Sequence, residues 1–166
     1  MSGKADWLPP LVLLPDCDGD WDKYVNTVFG VFYRDFIQSQ PRFRGKWVRC
    51  RRDPIHDGKE AGFWHCVSEG ANEGDRTPDL RRCERIAWIR FAIESENDPR
   101  IDCWTNVRGG EVRHLIWLQE EFLVVLAERT RQRDGFAYLQ LITAYCTPEE
   151  ARKSKLRKER DESRNG

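Results

Sequence analysis

The sequence predicts an α+β fold in which N-terminal helices pack on a four- to six-stranded antiparallel sheet and a further helix closes the chain. Two stretches, over 21–38 and 77–95, repeat their apolar residues at helical spacing. A third, the run FLVVLAERTRQRDGFAYLQLITAYCT over 122–147, holds two apolar, β-rich segments joined at Asp134-Gly135. Glycine after aspartate supplies the positive φ that a bulged hairpin loop requires, so the two segments form an antiparallel pair.

The chain has 166 residues and a hydrophobic fraction of 39%, enough for one domain with one core. Its 28 basic and 28 acidic residues balance, so a polyanion site has to come from a local basic cluster. The six cysteines stand singly, without a CxxC pair, although Cys66 follows His65. That spacing speaks against a zinc site and a disulfide framework and for buried thiols in a reducing compartment. Leu11 to Leu14 is too short for a signal peptide or a membrane span. A cytoplasmic protein with no membrane partner, metal or cofactor is expected.

Taken in order, residues 1–19 carry three prolines and no period and read as an extended arm. The domain proper is expected over 20–148. Asp18 or Asp20 caps a helix running to about Gln38, whose stripe of Tyr24, Val28, Phe32 and Phe36 packs inward. Phe43 to Arg51 alternates polar and apolar residues and pairs with a second short strand, Phe63 to Val67, leaving Arg49, Arg51 and Arg52 near a basic edge. A polar loop is expected over Asn72 to Thr77. Thr77-Pro78-Asp79 then starts the second helix, in which Arg85 neighbours both Arg81 and Arg82. Those guanidiniums suit phosphate; equally, they suit an exposed face paired to carboxylates. Ile101 to Asn106 and Glu111 to Trp117 form a hairpin about Gly109-Gly110, which makes a meander of four strands up to Cys146. Within it Arg113 and His114 point to opposite faces. Thr147 caps a charged helix or tail over 149–166, with few apolar positions to hold it.

The succession FWHCVSEG, RTPDLRRCERIAWI, IWLQEEFLVVLAERT and LQLITAY, over roughly Phe63 to Arg157, resembles small proteins of the barnase–EndoU–colicin–RelE-like nuclease superfamily, in its phage-associated branch. The resemblance implies a RelE- or colicin-like fold and a metal-independent, toxin-like endoribonuclease. In such enzymes the RNA 2′-hydroxyl attacks the adjacent phosphorus and leaves a 2′,3′-cyclic phosphate and a 5′-hydroxyl. A base, an acid and cations for the phosphoryl oxygens are needed.

Carried onto this chain, the resemblance makes His65 the base or acid, since an imidazole titrates near neutrality. Arg85, aided by Arg81 or Arg82, holds the scissile phosphate. Arg129, Thr143 and Tyr145, at the ends of the hairpin strands, add a guanidinium and hydroxyl donors. Glu69 is a second acid–base candidate, and it joins Arg81, Arg82 and Arg113 in the substrate-binding set. RNA, with tRNA among the candidates, is the implied partner, and an inhibitor protein a further one. The other reading is a non-catalytic module that binds phosphate or an acidic partner on the same fold.

Overall fold

The computed structural model describes residues 7–70 and 76–165. The arm over 1–6, and all but the last two residues of the expected polar loop over Asn72 to Thr77, lie outside them. From Trp7 onward the arm is laid on the body. Trp7 packs on Phe91, and the carbonyl of Pro9 accepts from the Trp88 indole at 2.9 Å.

The first helix, α1 (Trp21–Phe32), is capped by the Asp20 carboxylate, which accepts from the Lys23 N–H. It continues as a π-helical turn over Tyr33–Ile37 and stops ahead of Pro41. Two short strands follow, β1 (Arg42–Phe43) and β2 (Lys46–Cys50), turned at Arg44-Gly45.

Phe63 to Val67 is not a strand, as alternation and composition predict, but the body of helix α2 (Ala61–Val67). A short apolar run fits a buried strand and a buried helix equally well. Two backbone bonds fix the outcome here, from the Ala61 and Gly62 N–H groups to the carbonyls of Arg52 and Arg51. Phe63, Cys66 and Val67, spaced by three and four, then turn to the core together.

Ser68–Glu69 (β3) and Thr77–Pro78 (β4) form a small antiparallel pair, so Thr77 and Pro78 precede the helix instead of starting it. Asp79 is the cap, accepting from the Arg81 and Arg82 N–H groups. The expected single helix is broken at Arg85 into α3 (Leu80–Glu84) and α4 (Ile86–Glu94).

The meander is present, as β5 (Ile101–Arg108), β6 (Glu111–Leu118), β7 (Phe122–Thr130) and β8 (Ala137–Cys146). The sheet is six-stranded in the order β1-β2-β8-β7-β6-β5. It is mixed, not antiparallel throughout, because β2 joins β8 in parallel, with Val48 opposite Leu139 and Cys50 opposite Leu141. Sequence alternation marks a strand without naming its partner. Between Val125 and Leu126 of β7 the register shifts, from Thr143 to Leu141, so Ile142 is the extra residue of a bulge in β8.

One sheet face, with Ile116, Leu118, Val124, Leu126, Leu139 and Leu141, packs on α1, α2 and α4. The opposite face presents Trp104, Leu115, Trp117, Leu123 and Val125 to the last helix, α5 (Glu150–Asn165). That helix buries a single residue, Leu156. Charge docks the rest of it: Arg157 grips Glu120 at 2.6 Å, Arg160 and Arg164 share Asp102, and Glu159 accepts from Trp104 and Asn106. The C-terminal helix that the sequence predicts is present, and complementary ions hold it on the sheet.

Gly62 sits where a Cβ would come within 2.9 Å of the Arg51 carbonyl oxygen and the Cys50 Cβ, whereas a Cβ on Gly30 of α1 would meet nothing. Gly62→Ala should cost about 1–3 kcal/mol in overpacking. Gly30→Ala should stabilise by about 0.5–1 kcal/mol. Urea midpoints of the two variants check this; a neutral Gly62→Ala would mean that α2 is not pressed on β2.

Candidate functional site

The β2–β8 ladder ends at Cys50 and Leu141, and α2 takes the place of β2 along the rest of β8. The Thr143 hydroxyl ties the two by donating to the backbone carbonyl of His65 at 2.9 Å. Where strand gives way to helix, a cleft of about 140 Å³ opens, lined by Arg51, Gly62, His65, Arg129, Gln140 and the bulge residue Ile142.

Arg129 reaches this cleft from β7. It is opposite Tyr138 of β8, and its guanidinium meets Glu111 at 2.6 Å. Arg113 contacts the same carboxylate at 3.2 Å, so two cations share one anion and the corner stays positive by one charge. His114 points to the other face, against Phe43 and Glu128, and its ring nitrogen holds the Glu128 carboxyl below the usual range.

The expected gathering of His65, Arg85, Arg129 and Tyr145 in one pocket does not occur. His65 and Arg129 share the cleft, and Thr143 helps to build it with its hydroxyl already donated. Arg81 and Arg85 both turn to the buried Glu84 carboxylate, at 2.8 and 3.4 Å, and line a separate recess with Cys146 and Pro148. Arg82 leaves its two neighbours: it donates to the Ser68 carbonyl at 2.8 Å and faces the Tyr145 ring. Arg152 of α5 faces the same ring, and the Tyr145 hydroxyl accepts from it. The trio of arginines divides because the chain turns at Arg85 and because Glu84 is drawn inward. Glu69 is exposed on β3 and does not line the cleft.

Sequence reasoning passed over Gln140 and Glu111, and placed Arg49, Arg51 and Arg52 near a basic edge without tying them to the site. Arg49 is opposite Gln140, and Arg51 lies two residues on, so both point to one side of the strand. The alternation of FRGKWVRCR carried that signal, but a solvated face reads the same way.

Among the described residues, no group of three or more His, Cys, Asp or Glu side chains converges. All six cysteines are free thiols. Burial pushes Cys50 and Cys103 up to about 11 and Cys83 up to about 12. Among the described residues no helix is long and apolar enough to cross a membrane. Comparison with protein-family models, with curated proteins and with solved structures finds no match to this chain.

The buried thiols set a pH dependence. An unfolded thiol with the ordinary value of 9.0 gives up its proton before the folded one does. Above about pH 9 the unfolded chain therefore binds fewer protons, and stability falls as pH rises from about 9 towards 11. Denaturation midpoints across that interval check this, and Cys83→Ala should flatten the profile. A wild-type profile that is level to pH 11 would contradict it.

Proposed function

We propose that the chain is a metal-independent endoribonuclease that works in the cleft between α2 and β8. One observation carries the reading: His65 and Arg129, brought from an early helix and a late strand, line the same small cleft. An imidazole beside a guanidinium is the pair that phosphodiester transfer to a neighbouring hydroxyl needs, one moving a proton and the other matching the charge on the phosphoryl oxygens.

In this reading His65 takes the proton of the RNA 2′-hydroxyl. The 2′-oxygen bonds to phosphorus and the bond from phosphorus to the 5′-oxygen breaks. The imidazolium so formed returns the proton to the departing 5′-oxygen, leaving a 2′,3′-cyclic phosphate. Arg129, with Arg51 and the Gln140 amide, faces the phosphoryl oxygens. Thr143 acts through its bond to the His65 carbonyl as a positioning residue. Arg81, Arg82, Arg85, Glu69 and Tyr145 have no part in the step, and Arg113 acts only through the carboxylate it shares with Arg129. A RelE- or colicin-like superfamily origin, a phage-derived or toxin-like role, a cytoplasmic site of action and an inhibitor protein as partner belong to the same proposal.

The second reading is a binding module without chemistry. It is favoured by the fate of Arg81, Arg85 and Tyr145, which are held by Glu84 and Arg152 away from the cleft.

Incubation of total RNA with the protein in EDTA separates the two. Wild type should release fragments with cyclic-phosphate ends, and His65→Ala should lower the rate by about 10²–10⁴-fold, the usual contribution of a positioned acid–base group. Arg129→Ala should reduce turnover while the fold remains. Cleavage by His65→Ala at the wild-type rate would remove the histidine from the mechanism, and intact RNA with wild type would leave the binding module.

A further inference from the structure

A second cleft, of about 290 Å³, lies beside the first and shares Arg51 and Gln140 with it as a common wall. Its other sides are Arg49, Arg52, Tyr138 and Phe36. The volume is close to the lower end of small-ligand clefts, which run from about 300 Å³ upward.

Arg49 is held there in an unusual way. Its guanidinium lies 5.4 Å from the ring centroids of both Phe136 and Tyr138, and those two rings stack at an interplanar angle of 17°. Its Nε is buried and makes no hydrogen bond. Among the described residues neither Arg49 nor Arg52 forms an ion pair. Arg81, Arg85, Arg113, Arg129, Arg157 and Arg160, by contrast, are each matched to a carboxylate. In a chain with no net charge, cations left unneutralised beside an aromatic pair form a local attraction for an anion that also carries a flat ring.

We infer that this second cleft is a subsite for a nucleotide of single-stranded RNA one step beyond the two that the scissile phosphate joins, an inference that rests on the nuclease reading of the first cleft. The base stacks on Tyr138 and the Arg49 guanidinium, and the adjoining phosphate is bound by Arg49 and Arg52. Stacking on aromatic rings and guanidinium planes requires an unpaired base, which a duplex does not offer. An acidic peptide would satisfy the arginines but would leave the rings without a role.

The test uses oligonucleotides with 2′-O-methyl groups, which cannot be cleaved by 2′-hydroxyl attack, and reads dissociation constants by fluorescence anisotropy. Tyr138→Leu and Arg52→Ala should each weaken binding of a single-stranded hexanucleotide about tenfold and change that of a dinucleotide by less than about twofold. Arg52→Ala should also reduce the slope of log affinity against log salt by about 0.7, the value of one lost single-strand phosphate contact, and Tyr138→Leu should not. Circular dichroism and melting temperature confirm that both variants fold; Arg52 is exposed and its loss leaves the core intact. An unchanged hexanucleotide affinity in Tyr138→Leu, or no binding of the hexanucleotide by wild type, would overturn the subsite. So would an equal loss for both lengths. The two readings fail separately: the expected hexanucleotide losses without RNA cleavage support the subsite and remove the chemistry, whereas cleavage with unchanged variant affinities removes the subsite alone.

Discussion

The parallel pairing of β2 with β8 is the constraint on which the rest depends. A parallel neighbour needs a crossover, and here the chain leaves β2, forms α2, builds four helical and extended segments, and runs through the first three strands of the meander before β8 arrives. β2 stops at Cys50, so the far half of β8 would be an open edge with unpaired amides. α2 covers it. Gly62 allows the helix backbone to reach the Arg51 carbonyl, and Thr143 ties the other end at His65. The cleft is the gap that remains where a flat strand is replaced by a round helix, and His65 lines it because of that replacement.

The two faces of the sheet are held by different physics. One carries an extensive aromatic and aliphatic core, in which Phe32, Phe63, Ile116 and Phe122 are fully buried. Burial of that kind is not subject to the screening by salt that weakens ion pairs. The other face depends on α5, whose single buried leucine is supported by Arg157, Arg160, Arg164 and Glu159 acting on Glu120, Asp102, Trp104 and Asn106. Several linked ions on one helix are worth more than isolated surface pairs, yet salt screens them. Balanced charge in the composition is thus the sum of many local matches, and Arg49 and Arg52, which form no ion pair among the described residues, stand out against it.

Much of the architecture was legible in the sequence. The meander was readable because its strands are long, rich in β-formers and separated by Gly109-Gly110 and Asp134-Gly135, where the positive φ of Gly109, Gly110 and Gly135 closes the turns. α1 was readable from its stripe and its Asp20 cap. What could not be read was partnership. Nothing local in FRGKWVRCR says that its neighbour is β8 and that the two run in parallel. FWHCV has too few residues for its period to separate helix from strand. The site shows the same division: His65 and Arg129 could be singled out by type, whereas Gln140 and Arg51 become relevant only through the register that sets them beside those two. Arg85 failed because a helix assumed continuous was broken at that residue, and because a buried Glu84 claimed its charge.

The location of the phosphodiester between α2 and β8 is tested most directly by the amide spectrum of the protein titrated with an uncleavable single-stranded RNA. Shifts concentrated on the backbone of Gly62, His65, Gln140, Leu141 and Ile142, and on the Nε–H of Arg129, are the predicted result. Shifts confined to the recess of Arg81, Arg85 and Cys146, with that set unmoved, would contradict it.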